Sequence, residues 1–216
     1  MKFRCERDAL VEQLSTASRA VSSRGGALPV LTGIHLKAHK ETLTMTGSDL
    51  EITVRASVAV DVKESGEAVL PSRIVVDIIR SLDSGAVEVE VSGEEAKISG
   101  GRSQFSVRTL PVDDFPALSD PAGDEVTVAT ADLAAGLKQV VRAASGDDAR
   151  PILTGVLMSA EDGGLRLVAT DSYRLAVRDL PEATVLSEGQ KVLVPSRALD
   201  ELSRVLGDSE EVNVRL

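Results

Sequence analysis

VATDSYRLAV, residues Val168 to Val177, decides the fold, because the chain carries an earlier version of it: Thr44 to Val54 reads TMTGSDLEITV. Each has an apolar strand pattern, a short turn ending in Thr/Ser-Asp, and a second strand pattern. The likeness extends outwards. LPVLTG (Leu28 to Gly33) matches RPILTG (Arg150 to Gly155) at an offset of 122, Pro29 to Pro151, and Asp49 and Asp171 keep that offset. Aligning Arg55 with Arg178 places one extra residue in the second copy just after its Asp. GEAVLPSR (Gly66 to Arg73) then matches GQKVLVPSR (Gly189 to Arg197), with a further insertion at Val194. Upstream, DALVEQLSTASRAVS (Asp8 to Ser22) matches ADLAAGLKQVVRAAS (Ala131 to Ser145). Four collinear blocks make a duplication. The second copy stops near the equivalent of Ser92, so it is expected to lack its last strands and to belong to a longer protein.

With 216 residues, two domains are affordable, each with its own core. Aromatics make up 2% and Trp is absent, so aliphatic side chains must fill that core. Cys5 is the one cysteine, which excludes an internal disulfide and a cysteine-based zinc site and fits a reducing compartment. The start, MKFRCERDAL, lacks the apolar stretch of a secretory signal, and no run is long enough to span a membrane; a cytoplasmic protein is expected.

Asp8 opens a helix to about Ser22, with Leu10, Leu14, Ala17 and Val21 as its stripe. Val30 to Lys37 and Thr42 to Thr46 read as strands. From Leu50 to Val60, every second residue is apolar, the mark of a sheet packed on one side. Pro71 opens a second helix, with Ile74, Ile78, Ile79 and Leu82 inward. Strands follow to Val107, and Pro111 to Asp124 reads as the linker region. The second copy repeats the order. The expected fold class is α+β, each domain placing two helices on a mostly antiparallel sheet. The boundaries are 1–118, a linker at 119–124, and an incomplete second domain at 125–216.

The net charge of −10 argues against a simple nucleic-acid binder. Yet the helical segments 8–24, 71–82, 131–146 and 195–206 hold eight basic residues against six acidic ones, net +2, while the remainder is net −12. The basic residues are Arg19, Arg24, Arg73, Arg80, Lys138, Arg142, Arg197 and Arg204, and several recur at equivalent places in both copies. Two readings compete: ordinary solvated helix charge, or a basic face for a phosphate backbone with the acidic remainder discouraging binding elsewhere. Without interleaved aromatics, duplex backbone contact fits better than base stacking. There is no P-loop, dinucleotide fingerprint or metal-ligand spacing, and His35 and His39 lie on a strand pattern and its turn, so neither catalysis nor a cofactor is expected.

Taken together, MKF with ERDAL, LPVLTGIHLKA, TGSDLEI, GRSQFSVRTLPVDDFP, LTGVL and above all ATDSYRLAV resemble the bacterial DNA polymerase sliding clamp, the beta subunit of the replicative polymerase III holoenzyme. The resemblance implies duplicated DNA-clamp domains in a non-catalytic processivity factor. In that family three domains per chain and two chains, head to tail, form a ring around duplex DNA. It implies that the eight basic residues face DNA, with Arg24 in the loop after the first helix. It further implies a cleft for short peptides of the polymerase, clamp loader and repair proteins at Arg150, Leu153, Thr170, Ser172, Tyr173, Arg174 and Leu175. The extra residue in ATDSYRL would re-aim Tyr173 and Arg174 as a bulge does. Strand Arg102 to Arg108 would be the homodimer edge, with Phe105 and Val107 as apolar contacts. The alternative is a duplicated scaffold without a DNA role.

Overall fold

The computed structural model describes residues 1–22, 28–119, 125–181, 183–207 and 209–215. They fall into two compact units, Met1–Ala117 and Leu118–Leu216.

In the first unit β1 (Lys2–Glu6) leads into α1 (Arg7–Ala17), which a 3-10 turn (Ser18–Ala20) prolongs. Then come β2 (Gly33–His39), β3 (Thr42–Ser48), β4 (Thr53–Ala59), β5 (Asp61–Glu64), β6 (Gly66–Pro71), α2 (Ser72–Ser81), β7 (Ala86–Ser92), β8 (Glu95–Gly100) and β9 (Ser103–Arg108). Two antiparallel sheets result, ordered β5-β1-β7-β8-β9 and β4-β3-β2-β6, where a single sheet was expected. One core joins them: Phe3, Val87, Val89 and Ile98 meet Ile34, Leu36, Leu43, Met45 and Leu70, together with Leu10 and Leu14 of α1 and Val75, Val76 and Ile79 of α2. Alternation in AVEVEVS and helical spacing in α1 put those side chains inward. Cys5 lies in the same core, where burial pushes its thiol up from the ordinary value.

The second unit repeats this with β10 (Val126–Ala129), α3 (Thr130–Val140), a 3-10 turn (Val141–Ala143), β11 (Gly155–Glu161), β12 (Gly164–Thr170), β13 (Leu175–Leu180), β14 (Lys191–Pro195), α4 (Ser196–Val205) and β15 (Glu211–Val214). Its sheets run β13-β12-β11-β14 and β10-β15. The first copies β4-β3-β2-β6, and the second copies the β1-β7 pair.

The register corrects both expected insertions. Ser48 pairs with Thr53 and Thr46 with Arg55; Thr170 pairs with Leu175 and Val168 with Val177. The offset of 122 therefore holds through the turn, and there is no extra residue or bulge after Asp171. Nor is Val194 inserted: Gly33 pairs with Pro71 and Ile34 with Leu70, as Gly155 pairs with Pro195 and Val156 with Val194. The extra length lies instead in the connection 181–190, where the first unit forms β5. That connection buries Ala183, Val185 and Leu186 in the core without becoming a strand.

Other differences are local. Pro29–Thr32 is a 3-10 turn rather than the start of β2. Leu50 is exposed, at φ +75° in the turn, so the inward alternation starts at Ile52. In α2, Val75, Val76 and Ile79 face the core and Ile74 is exposed, because an unbroken IVV run hides which residues form the stripe. The expected linker begins late: the Leu110 amide donates to the Val69 carbonyl at 2.8 Å, and Leu110, Val112 and Phe115 pack on buried Val30, Leu31 and Val69. Phe115 also stacks on His35 with ring centroids 5.1 Å apart. Of the expected linker at 119–124, residues 120–124 lie outside the described residues.

At Gly47 the end of α1 approaches β3 closely. A Cβ there would sit 2.1 Å from the Ala17 carbonyl oxygen and 2.9 Å from Val21 Cγ2. Gly47→Ala is expected to destabilise the first unit by about 1–3 kcal/mol through overpacking, read as a lower urea midpoint. The register-equivalent position, Ala169, already carries a methyl group, so Ala169→Gly should cost only about 1 kcal/mol.

Candidate nucleic-acid interface and peptide cleft

The helix residues were expected as one basic face per copy. Arg73 and Arg80 are exposed on α2, and Asp77 lies between them on the same side. Arg80 Nη2 donates to Ser15 Oγ of α1 at 3.3 Å, and Arg80 Nη1 lies 4.0 Å from Asp77 Oδ1. Arg19 is exposed in the turn after α1. In the second unit Lys138 is exposed near the end of α3 and Arg142 in the following turn, one helical turn apart. Arg197 and Arg204 are exposed on α4, but Arg204 is forked between two carboxylates: Nη2 to Asp200 Oδ2 at 2.7 Å, and Nη1 to Glu201 Oε1 at 3.0 Å. Arg24 lies outside the described residues. In the 146–150 loop, Asp147 accepts the Ala149 amide and then the Arg150 guanidinium, which together hold its carboxyl below the usual range.

Five of the residues expected to form the peptide cleft, Thr170, Ser172, Tyr173, Arg174 and Leu175, lie at or beside the β12–β13 turn. Asp171 Oδ1 accepts the amides of Tyr173 and Arg174 at 2.9 and 3.0 Å, and Oδ2 takes the Arg174 guanidinium at 3.1 Å. The Thr170 hydroxyl accepts the Ser172 amide and donates to the Arg174 carbonyl. Arg150 Nη1 reaches Ser172 Oγ at 3.4 Å, tying the loop before Pro151 to the turn. Leu153 is half-buried in a 3-10 turn (Pro151–Leu153). Tyr173 is 93% exposed and Leu175 66%, so among the described residues two large side chains stand mostly in solvent.

The first unit builds the same turn from other side chains. Asp49 Oδ1 accepts the Glu51 and Ile52 amides, and Ser48 Oγ accepts the Leu50 amide and donates to the Ile52 carbonyl. Backbone geometry therefore does not single out the second copy; its exposed Tyr-Arg-Leu does. A neighbouring apolar row, which sequence reasoning missed, crosses that sheet as Val177, Val168, Leu157 and Leu193. Val177 and Leu193 are about half exposed and nearby Ile152 is 75% exposed. In the first unit, Leu110, Val112 and Phe115 cover the equivalent of Leu193, Val69. Register arithmetic on the repeat was the signal that could have found this row.

At the expected homodimer edge, β9 is an outer strand of its sheet, with Phe105 part-exposed. Two expectations need correcting. Arg102 belongs to the turn before β9, and Val107 is buried in the first unit's core, paired with buried Ala96 of β8.

Asp171 is held below its ordinary value first by the Tyr173 amide, then by the Arg174 amide and charge. A depressed folded value means that the turn's stabilisation is complete above the unfolded carboxyl's value of about 3.9 and is lost as pH falls below it. Amide exchange at Tyr173 and Arg174, corrected for intrinsic rates, should accelerate selectively in that acid window. Asp171→Ala should show the acceleration already at neutral pH.

Residues 1–119 match the family model described as DNA polymerase III beta subunit, N-terminal domain, and residues 127–216 match the central domain of the same subunit. The "Beta sliding clamp" of Streptomyces coelicolor is 36% identical over 219 residues, covering all of this chain and 57% of that protein. The crystal structure of the Bacillus subtilis DNA polymerase sliding clamp superposes with a TM-score of 0.92 at 32% identity, covering 100% of this chain and 60% of that one. The DNA polymerase III subunit beta from Pseudomonas aeruginosa gives 0.91 at 32% identity, with the same coverage. The repeated two-helix units and their matching strand orders thus have one source: the chain belongs to the DNA polymerase III beta subunit family, as its N-terminal and central domains.

Proposed function

We propose that this chain is part of a non-catalytic sliding clamp that encircles duplex DNA as a head-to-tail homodimeric ring and tethers polymerase, clamp loader and repair proteins through short peptides. The observation that carries the reading is the repeated placement of exposed basic residues on the helices and their turns, Arg73 and Arg80 in one unit and Lys138 and Arg142 in the other, within a strongly acidic chain. Such residues meet phosphates without reading sequence. Arg19 extends the same reading to the turn after α1, and Arg24, outside the described residues, is kept in it on the family resemblance alone. The edge of β9, with Phe105, is the surface for the partner chain.

The peptide cleft is assigned to Arg150, Leu153, Thr170, Ser172, Tyr173, Arg174 and Leu175. What supports it is exposed apolar area beside ordered polar groups, the usual make-up of a peptide site. Leu175→Asp should leave stability within about 0.5 kcal/mol, since an exposed side chain loses little, while abolishing capture of a polymerase-derived peptide in a binding titration.

The ring is tested with the full-length protein and an active clamp loader on nicked circular DNA. Protein retained on circles and lost on linearisation is the expected outcome. Equal retention on linear DNA would replace encirclement with an ordinary binding surface, and no retention on either would favour a duplicated scaffold.

A further inference from the structure

The two units share a fold but not a distribution of charge over their helices. Arg7, Asp8, Glu12 and Arg19 leave α1 and its turn balanced, while Arg73, Asp77 and Arg80 leave α2 at +1. In the second unit the order is reversed. Asp132, Lys138 and Arg142 leave α3 and its turn at +1, while Arg197, Asp200, Glu201 and Arg204 cancel on α4.

Contacts sharpen the contrast. Arg73, Lys138 and Arg142 are exposed and make no ion pair among the described residues. Arg73 and Arg80, with Asp77 between them, border a groove of about 510 Å³ between the end of α1 and the start of α2. Arg204 stands at the position equivalent to Arg80, but Asp200 and Glu201 grip it at 2.7 and 3.0 Å. Exposed ion pairs are individually weak, so the grip itself is not what disables Arg204. The carboxylates are fixed three and four positions before it on the same helix, well inside the screening length of about 8–10 Å at moderate salt. A phosphate approaching Arg204 meets two carboxylates beside one guanidinium, on a helix that even with Arg197 carries no net positive charge.

We propose that the two units meet a duplex through different helices. Unit 1 uses α2, with Arg73 at the groove, and unit 2 uses Lys138 and Arg142 of α3 and its turn, while Asp200 and Glu201 keep Arg204 out of phosphate contact. The assignment rests on the duplex-binding reading above.

The test is binding of the 216-residue chain to a labelled random-sequence duplex, followed by fluorescence anisotropy across a range of KCl concentrations. Each phosphate neutralised contributes about 0.9 to the slope of log affinity against log salt. Arg73→Ala and Lys138→Ala should each reduce the slope by about that amount. Arg204→Ala should leave it unchanged. The double variant Asp200→Asn, Glu201→Gln should steepen it by about 0.9 and tighten low-salt binding severalfold, a gain that misfolding cannot imitate. If Arg204→Ala flattens the slope as much as Arg73→Ala, or the double variant gains nothing, the helix assignment falls while duplex binding stands. Wild-type binding without salt dependence would remove the duplex reading itself, and the assignment with it.

Discussion

One carboxylate oxygen that accepts two backbone amides sets the geometry on which each unit depends. Asp49 and Asp171 each close the turn that brings an outer strand, β4 or β13, back onto its neighbour and fix the register of that pair. In a sheet, a slip of one residue exchanges the inward and outward faces. With 2% aromatics and no Trp, the cores rely on many small aliphatic contacts, so losing one face would leave no compensating large side chain. The Asp turn thereby protects the core at a distance. It also tolerates positive φ at non-glycine residues, Leu50 at +75° and Ser172 at +79°, because hydrogen bonds on both sides over-determine the backbone there.

The duplication, the helices and most strands were legible, since amphipathic spacing and collinear blocks are written directly in residue order. The position of the length difference was not. Matching Arg55 to Arg178 rewards identity, whereas the ladder matches Arg55 to Val177, and hydrogen bonding decides structural equivalence. Strand β5, DVKE, has one apolar residue in four and no alternation to detect; it exists because β1 offers it an edge. Phe105 and Val107 look alike in QFSVR and each sits opposite a buried residue of β8, Ile98 and Ala96, so residue order does not tell that one is left part-exposed and the other lies in the core. The peptide-cleft residues were named through family resemblance. Residue order alone does not reveal that Tyr173 and Leu175 are left uncovered.

The two copies show how one backbone can carry two surfaces. Unit 1 folds Leu110–Phe115 down over Val69 and closes the row with a His35–Phe115 stack. Unit 2 keeps the sheet order but leaves Leu193, Val177 and Ile152 open to solvent. The helices diverge in the same manner: similar positions, different neighbouring carboxylates. Sheet order and helix placement are retained while the exposed chemistry is reassigned, which is how duplicated domains come to serve different contacts.

The buried thiol of Cys5 gives unit 1 a clock of its own. Thiolate chemistry needs access and deprotonation, and burial in unit 1 opposes both. Because it is the chain's single cysteine, any alkylation under native conditions reports an excursion in which β1 leaves its neighbours, and says nothing of unit 2. The rate of that modification is therefore a stability assay for one half of a two-part molecule, carried out without denaturant and without cutting the chain.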